Sequence, residues 1–510
     1  MATATLPDTP TTADELEDYV AALFQASGYF VETKVIEKEE TEVLELDAVA
    51  TSYATQKPDP MLIEAKSGGW GYPDVFKLLG WMTALERPRG AFFASKVIKD
   101  KNPELVARRM QPHGITVVHL GDFSKAIDEF EKAGLGKVTD PFMMAVWRFS
   151  FAMKRILIEK LRKMKKSQPD REAPRDALEY HELINDRIFF TGDPLDQVRQ
   201  LYDAYQSHPK LSLGACVEID GKPYDCHNPP TGSPSMGAAL YNGKHLIAQI
   251  CFYLEHRARL AIMKAGVDFA LKGGSAWDMA GMLPGSFQDA LEQIRDEPSF
   301  HLYPLFWQNF LWAFGGFYLM DRQDTEFAWL AERVGMPATE VPKALAAYDT
   351  MFPMANGWLG CAGPTKCMTV KMFPAPFRGL GAWQRRVRYE AEDYGKLGYA
   401  DHTSTDLKKW NNAAVEILAK SEADPKRSYT VRIDGNTISL EAESPESAGR
   451  GAVIQHFEEA RAYPAETQTE VFAGAQSVGK FVVTAQRTTK YDKGKFERVY
   501  FDWSFAASPA

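Results

Sequence analysis

Two acidic residues and one lysine near the N-terminus have the types and spacing to carry chemistry. Asp47 lies in the alternating segment 42–50 (EVLELDAVA), and Glu64 and Lys66 end the apolar segment 62–66 (LIEAK). If both segments are neighbouring β-strands, two carboxylates and an ammonium meet at one point. Two carboxylates can hold Mg²⁺, which prefers oxygen ligands, and a lysine beside them can orient a water that attacks phosphorus. The pattern indicates phosphodiester hydrolysis.

The elements that must position these residues follow from hydrophobic periodicity. The predicted order is αβββαβαβ within about 120 residues. The segments are a helix at 15–25, strands at 29–35, 42–50 and 61–64, a helix at 72–86, a strand at 90–95, a helix at 102–111 and a strand at 115–119. Alternation in 42–50 predicts that Glu45, Asp47 and Val49 share one face, where a carboxylate is costly unless a cation compensates it.

Four stretches of this region resemble the PD-(D/E)xK nuclease superfamily, in its Mrr-like branch of restriction endonucleases. They are LEDYVAALFQASGYFVE, ELDAV, IEAK and RGAFFAS with GITVVHL, which together cover roughly residues 10–125. The resemblance implies a restriction-endonuclease-like core in which Asp47, Glu64 and the backbone carbonyl of Ala65 hold Mg²⁺, with Mn²⁺ able to substitute. It also implies that Lys66 is the catalytic lysine, and that Glu17 is the acid of the first helix that helps to orient the metal site.

The chain departs from the pattern of that family at two positions. Leu46 stands where the family has a proline before the aspartate, and Lys77 lies near the place where many Mrr-like members carry a glutamine. Two other interpretations of the motif remain open. One is a cluster of surface ion pairs on an ordinary α/β domain, and the other is a nuclease-like fold that binds nucleic acid without cutting it.

Basic residues on two predicted helices are candidates for binding nucleic acid. The helix 141–166 ends in KRILIEKLRKMKKS, and WQRRVR at 383–388 follows a Gly- and Pro-rich loop. The alternative for the first helix is a solvated end whose cations lie favourably at the C-terminal dipole. The candidate contacts are Lys77, Lys154, Arg155, Lys160, Arg162, Lys163, Lys165, Lys166, Arg385, Arg386 and Arg388.

Composition shifts and turn signals predict a multidomain α/β plus α protein. The predicted parts are a disordered tail at 1–13, the nuclease-like domain at 14–125, a basic helical connector at 126–170, a mostly helical domain at 171–425 and a small α+β domain at 426–510. In the last of these, Asp434-Gly435-Asn436 predicts a hairpin.

Two segments of the helical domain each allow two interpretations. Residues 302–320 approach the length of a membrane span, but Pro304, Gln308 and Asn309 interrupt the apolar run, which favours a buried helix. Residues 330–345 have the offsets of a helix-turn-helix motif, but a helical hairpin in the core fits the same pattern. Residues 302–320 are therefore not expected to insert into a membrane.

Composition places broad limits on the class of protein. The 510 residues carry a net charge of −9, so nucleic-acid binding would depend on a local basic patch. The five cysteines form no CxxC pair and the N-terminus shows no signal-peptide pattern, which predicts a cytoplasmic location. Cys216, Cys226 and His227 lack a second ligand pair for zinc.

Together these patterns predict a Mg²⁺-dependent endonuclease that cuts DNA, and its resemblance to Mrr-like enzymes implies defence against phage or foreign DNA. A symmetric homodimer or a larger assembly is expected, with a possible partner protein from a defence system. The chain has no phosphate-binding loop, so ATP-driven translocation would need another subunit. A toxin-type nuclease that cleaves RNA or tRNA, and a non-catalytic nucleic-acid-binding subunit of a larger complex, are the alternatives.

Overall fold

The computed structural model divides the chain into two compact units, Met1–Leu418 and Ala419–Ala510. These are called the first and the second unit below. The residues that the structure describes are 9–38, 42–96, 103–167, 177–182, 194–207, 218–219, 222–223, 246–279, 281–352, 359–362, 367–370, 373–389, 427–442, 444–457, 463–492 and 498–510.

The first unit begins with a five-stranded mixed sheet in the order β1-β2-β3-β4-β5. Its strands are β1 (Phe30–Lys38), β2 (Glu42–Ser52), β3 (Asp59–Lys66), β4 (Gly90–Ala94) and β5 (Ile115–His119). The first three strands are antiparallel neighbours, and β3, β4 and β5 run parallel. With helices α1 (Ala13–Ala26), α2 (Tyr72–Ala84) and α3 (Pro103–Met110), the predicted order of elements is found. The mixed α/β class is confirmed.

Helix α1 forms because its sequence both caps and packs it. The Thr12 hydroxyl accepts a hydrogen bond from the Glu15 N–H at 3.2 Å, and the Glu15 carboxylate accepts one from the Thr12 N–H at 3.3 Å. Its apolar face, which includes Leu23 and Phe24, packs on one face of the sheet. Helices α2 and α3 pack on the opposite face, so the sheet is covered on both sides.

Helices make up most of what the structure describes in the remainder of the first unit. They are α4 (Ala126–Lys132), α5 (Pro141–Ser167), α6 (Pro194–Ser207), α7 (Leu246–Leu271), α8 (Gly285–Arg295), α9 (Tyr303–Gln308), α10 (Gln323–Val334), α11 (Val341–Met351) and α12 (Ala375–Arg388). Helix α5 shares one hydrophobic cluster with α1 and α7. The predicted domain boundaries within this unit stay predictions.

Short strands accompany these helices. A two-stranded sheet joins β6 (Glu218–Ile219) to β7 (Lys222–Pro223). A three-stranded sheet has the order β8-β10-β9, with β8 (Phe317–Leu319), β9 (Leu359–Ala362) and β10 (Cys367–Val370).

The apolar segment 302–320 lies in the core, as predicted, but it is not a single helix. Helix α9 passes into a π-helical turn at Asn309–Ala313, and the chain then becomes strand β8. Gly315 and Gly316 have φ of +74° and +68°, the left-handed region that favours glycine. A Cβ on Gly315 would lie 2.5 Å from the carbonyl oxygen of Phe377. In the described part of the chain, no helix combines the length and apolar character needed to cross a membrane.

The segment with helix-turn-helix offsets forms α10, a turn and α11. Gly335 ends α10 with φ of +81°, and Pro342 lies in the first turn of α11, where proline is tolerated. Val341, Leu345 and Tyr348 of α11 are all buried. This packing favours the hairpin in the core over a helix presented to a groove of DNA.

The second unit is an α+β structure around one antiparallel sheet in the order β12-β11-β13-β14-β15. Its elements are β11 (Arg427–Ile433), β12 (Asn436–Ala442), α13 (Pro445–Phe457), β13 (Glu466–Ala473), β14 (Gln476–Asp492) and β15 (Arg498–Pro509). The predicted hairpin is confirmed: Ile433 pairs with Asn436, and Asp434 and Gly435 both have positive φ, as a type I′ turn requires.

Candidate active site

The site forms where strands β2 and β3 separate. Their pairing runs from Ser52 opposite Asp59 to Ala48 opposite Ile63, and it ends there. One residue beyond the last pair, the Asp47 Oδ2 atom accepts a hydrogen bond from the backbone N–H of Ala65 at 2.6 Å. Beyond the last backbone pair, the Asp47 side chain therefore bonds to the edge of β3. This bond holds Asp47 beside Glu64.

Strand β2 changes the direction of its side chains at the same point. Leu46 packs in the cluster under α2 and α3, whereas Ala48 packs in the cluster under α1. Lys34, which lies between the residues paired with Ala48 and Leu46, has φ of +53°. The prediction that Glu45 and Val49 share a face is therefore wrong. Glu45 is exposed, while Val49 joins the cluster of Leu46.

Glu64 is the buried acid of the site, with 1% of its side chain exposed. Its Oε1 atom lies 2.6 Å from Lys66 Nζ and 3.7 Å from Lys77 Nζ. Its Oε2 atom is buried and has no hydrogen-bond partner among the described residues. A carboxylate oxygen left in this state costs free energy unless a ligand reaches it.

The acidic side chains of the site repel one another in the absence of a metal ion. Burial raises the pKa of Asp47 to about 8, and the negative charges of Glu64 and Glu17 add to the shift. Burial acts against the charge of Lys66, but the hydrogen bond to Glu64 and the charge of Asp47 outweigh it and raise the lysine pKa. Lys66 is therefore an ammonium at neutral pH.

Glu17 lies near the site but does not enter it. Its carboxylate lies 3.6 Å from Lys34 Nζ, and Lys34 also holds Asp14. Burial raises the pKa of Glu17, with Lys34 opposing the shift. Glu17 therefore acts on Asp47 through its charge. The contacts of Lys34 with these acids were not predicted from the sequence. The available signal was its position, because it is a lysine within an otherwise alternating strand, opposite Asp47.

The donor set fits a hard divalent cation. Asp47 supplies a carboxyl group whose ionisation is opposed by burial and by the charge of Glu64. Glu64 supplies a buried oxygen that has no hydrogen-bond partner among the described residues. In an extended strand the N–H and C=O of one residue point to the same edge, so the Ala65 carbonyl faces the space occupied by Asp47. Within the described ranges no three His, Cys, Asp or Glu side chains gather around one point, so water would complete the coordination. Cys216, Cys226 and His227 lie outside the described residues.

Helix α5 does not present all of its predicted contacts to solvent. Arg155 donates to Asp18 at 2.9 Å and lies 3.5 Å from Glu159, which makes it a link between α5 and α1. Lys154 and Lys160 are half-buried. The exposed basic residues at the end of the helix are Arg162, Lys163, Lys165 and Lys166.

Arg385 of α12 is buried, so the prediction that it contacts nucleic acid is wrong. Its Nε donates to both carboxylate oxygens of Glu326, at 2.9 and 3.0 Å. Its Nη1 donates to the carbonyl oxygens of Phe314 and Gly381, at 3.0 and 2.9 Å. These bonds occupy the guanidinium in the interior and hold α12 to the segment that contains Phe314.

Arg388 is half-buried against aromatic rings. Its guanidinium lies 4.7 Å from the ring of Trp329 and 5.6 Å from that of Phe142. Burial, with the neighbouring charge of Arg333, lowers its pKa to about 10. The side chain of Arg386 lies outside the described residues. On α12, therefore, Arg385 and Arg388 contact the protein itself.

Comparison with known proteins found no match for this chain among family models, curated proteins or solved structures. The evidence for a function is therefore the arrangement of the side chains themselves. Asp47, Glu64, Lys66 and Lys77, which the sequence singled out, are brought together at the end of β3.

Proposed function

We propose that the first unit is a Mg²⁺-dependent endonuclease that hydrolyses phosphodiester bonds of DNA. The observation that carries the proposal is the pair of buried carboxylates of Asp47 and Glu64 beside Lys66, with one Glu64 oxygen lacking a partner. Two neighbouring buried carboxylates repel each other, and a bound metal ion would offset that repulsion. The order of elements from α1 to β5, with this site at the end of β3, supports a core of the PD-(D/E)xK type.

The roles of the residues follow from their contacts. Asp47, Glu64 and the Ala65 carbonyl hold the cation. Bound Mg²⁺ supplies stabilisation of the charge that develops on the phosphoryl oxygens. Lys66 donates hydrogen bonds that position the attacking water and steady the negative charge. Its raised pKa makes it a poor base near neutral pH, so the proton of the attacking water passes to solvent or to a phosphate oxygen.

The reaction is a direct displacement at phosphorus. The oxygen of water forms a bond to phosphorus as the bond to the leaving oxygen of the sugar breaks, and no covalent enzyme intermediate forms. One site per chain cuts one strand, so cleavage of both strands would be performed by a homodimer. Defence against foreign DNA is the biological role that this activity would serve.

Cleavage assays on four substrates test the proposal. Supercoiled plasmid, linear duplex, single-stranded DNA and RNA are incubated with Mg²⁺, Mn²⁺ or EDTA. Lys66→Met is compared with Lys57→Met, which replaces an exposed lysine in the same unit. We expect metal-dependent cutting of DNA that Lys66→Met lowers by roughly 10²- to 10⁴-fold and that Lys57→Met preserves.

Three outcomes would contradict the proposal in different ways. Cleavage of RNA alone would make the chain a ribonuclease. Cutting that survives both Lys66→Met and EDTA would place the activity elsewhere. Metal binding at Asp47 and Glu64 without cleavage of any substrate would favour a non-catalytic subunit, and copurifying partners would then be sought.

A further inference from the structure

A second cluster of charged side chains lies in a cleft between α1, β1, α5 and α7. The cleft encloses about 200 Å³. Its walls include side chains that are almost fully buried, among them Phe151, Ile158 and Tyr253. A smaller cavity of about 30 Å³ lies further in, and Thr33, Lys154 and Arg257 line both spaces. These three residues therefore stand at the inner end of the cleft.

Lys154 and Arg257 bring positive charge to that inner end without a matching acid. Among the described residues, neither forms an ion pair within 4 Å with a carboxylate. Lys154 Nζ instead lies 4.7 Å from the ring of Phe151 and 5.4 Å from that of Trp312. Arg257 hydrogen-bonds the Tyr253 hydroxyl. Burial and the neighbouring charge of Arg257 lower the pKa of Lys154 to about 7, although the charges of Asp18 and Glu32 act in the opposite direction.

The acids around the cleft are mostly engaged by other cations. Asp18 and Glu159 are held by Arg155, and Asp14 is held by Lys34. The other two acids of the lining are Glu45, which is exposed, and Glu182, which has a partner of its own.

Glu32 lies close to both inner cations, but its ion pair, at 4.0 Å, is with Lys264. Lys264 in turn holds Asp268 at 2.7 Å. Among the described residues, Lys154, Arg257 and the exposed Arg162 thus line the cleft without an ion pair of their own within 4 Å.

We propose that this cleft binds a small organic phosphate, with Lys154 and Arg257 holding the phosphate group. Arginine and lysine are the side chains that most often bind phosphate, and a dianion matches two cations. The apolar walls formed by Phe151, Ile36 and Ile158 suit the organic part of such a molecule. A DNA duplex is too wide for an enclosed space of about 200 Å³, so the ligand is a small molecule.

Binding measurements test the site independently of any cleavage. Inorganic phosphate, the nucleoside 5′-monophosphates, adenosine and a short DNA duplex are titrated by calorimetry into the full chain. The variants are Lys154→Met, which keeps the contacts with Phe151 and Trp312, and Arg257→Gln. The control is Lys57→Met, which replaces an exposed lysine of the first unit that does not line the cleft. The same proteins are melted with and without each probe.

We expect at least one nucleoside monophosphate to bind and to raise the melting temperature, while adenosine has no effect. Each cleft variant should weaken binding by about tenfold or more, and Lys57→Met should leave it unchanged. Lys154→Met should also melt no lower than wild type without ligand, because it removes a cation that lacks an acid partner.

The proposal is overturned if no phosphate probe binds, or if both cleft variants bind as tightly as wild type. It is also overturned if only the duplex binds and Lys154→Met weakens it, because the lysine would then contact the DNA backbone. A loss of nuclease activity with intact binding would leave this site standing and count against the proposed function alone.

Discussion

The carboxylate of Asp47 and the backbone N–H of Ala65 are joined by a 2.6 Å hydrogen bond across the point where β2 and β3 stop pairing. The bond holds one acid beside a second, Glu64, that is almost fully buried. Each acid opposes the ionisation of the other, and the charge of Lys66 offsets this repulsion at Asp47 only in part. The stability of the folded protein is therefore expected to depend on whether a metal ion is bound at this site.

Replacing Asp47 with asparagine is expected to stabilise the metal-free protein. The amide oxygen can still accept the bond from Ala65, while the repulsion from Glu64 is removed. The pKa of Asp47 rises from 3.8 to about 8 on folding, so folding favours its protonated form. Metal-free wild type should therefore lose stability as pH rises between these values. At pH 8 the gain in Asp47→Asn should be on the order of 2 kcal/mol, measured by denaturant melts in EDTA.

Magnesium should reverse the order of stability of wild type and Asp47→Asn. Millimolar Mg²⁺ is expected to raise the melting temperature of wild type, because ligands that bind only the folded state stabilise it. It should have little effect on Asp47→Asn. A metal-free Asp47→Asn protein that melts below wild type at pH 8 would show that the carboxylate is compensated by the protein itself.

Lys77 is expected to matter far less than Lys66 for cleavage. Its ammonium lies 3.7 Å from Glu64, compared with 2.6 Å for Lys66, and its side chain is 48% exposed. Solvent screens such a contact, and the same ammonium also lies 4.1 Å from the ring of Trp81. Lys77→Met should lower the single-turnover cleavage rate by no more than about tenfold, whereas Lys66→Met should nearly abolish it. Equal losses would indicate that the two lysines act as a pair.

Arg155 is expected to affect stability more than nucleic-acid binding. It is the main partner of Asp18, whose pKa burial raises to about 6 even with Arg155 beside it. Arg155→Met would leave that acid without its cation, which typically costs about 3–5 kcal/mol. The cost should be larger at pH 8 than at pH 5, because the acid is charged above its pKa. Thermal melts at both values check this, with Lys163→Met as the exposed control on α5.

Much of the fold and the main site could be predicted from the sequence, because both depend on local patterns. Alternation and helical periodicity predicted the elements from α1 to β5, and the neighbouring strands β2 and β3 bring Asp47 and Glu64 together where their pairing ends. The irregularity at Lys34 could not be predicted. A left-handed residue lies opposite the point on β2 where the side chains change direction, and lysine carries no signal for that conformation.

The basic residues show a second limit of what can be predicted from the sequence. Arg385 and Lys165 both occur in basic stretches of predicted helices, yet one is buried against Glu326 and the other is exposed. The difference depends on Glu326, which lies 59 residues before Arg385 in the chain. A sequence pattern within one helix contains no information about such a distant partner. Tertiary contacts therefore decide which arginines are structural.

The exposed end of α5 gives the most direct test of a DNA surface. Lys163, Lys165 and Lys166 are exposed at its last turns. Each lysine that contacts a phosphate releases counterions and contributes about 0.9 to the slope of log K against log salt concentration. If this end follows the DNA backbone, replacing all three lysines with alanine should lower the slope by roughly 2 to 3.

The measurement is duplex binding in EDTA, which prevents cleavage, over a series of salt concentrations. A matched control replaces three other lysines of the first unit, Lys57, Lys125 and Lys132, which are also exposed. Both triple variants change the net charge by the same amount, so a difference between them reports position and not overall charge. An equal decrease in slope for both variants would mean that α5 has no special role, and that DNA responds only to the general charge of the surface.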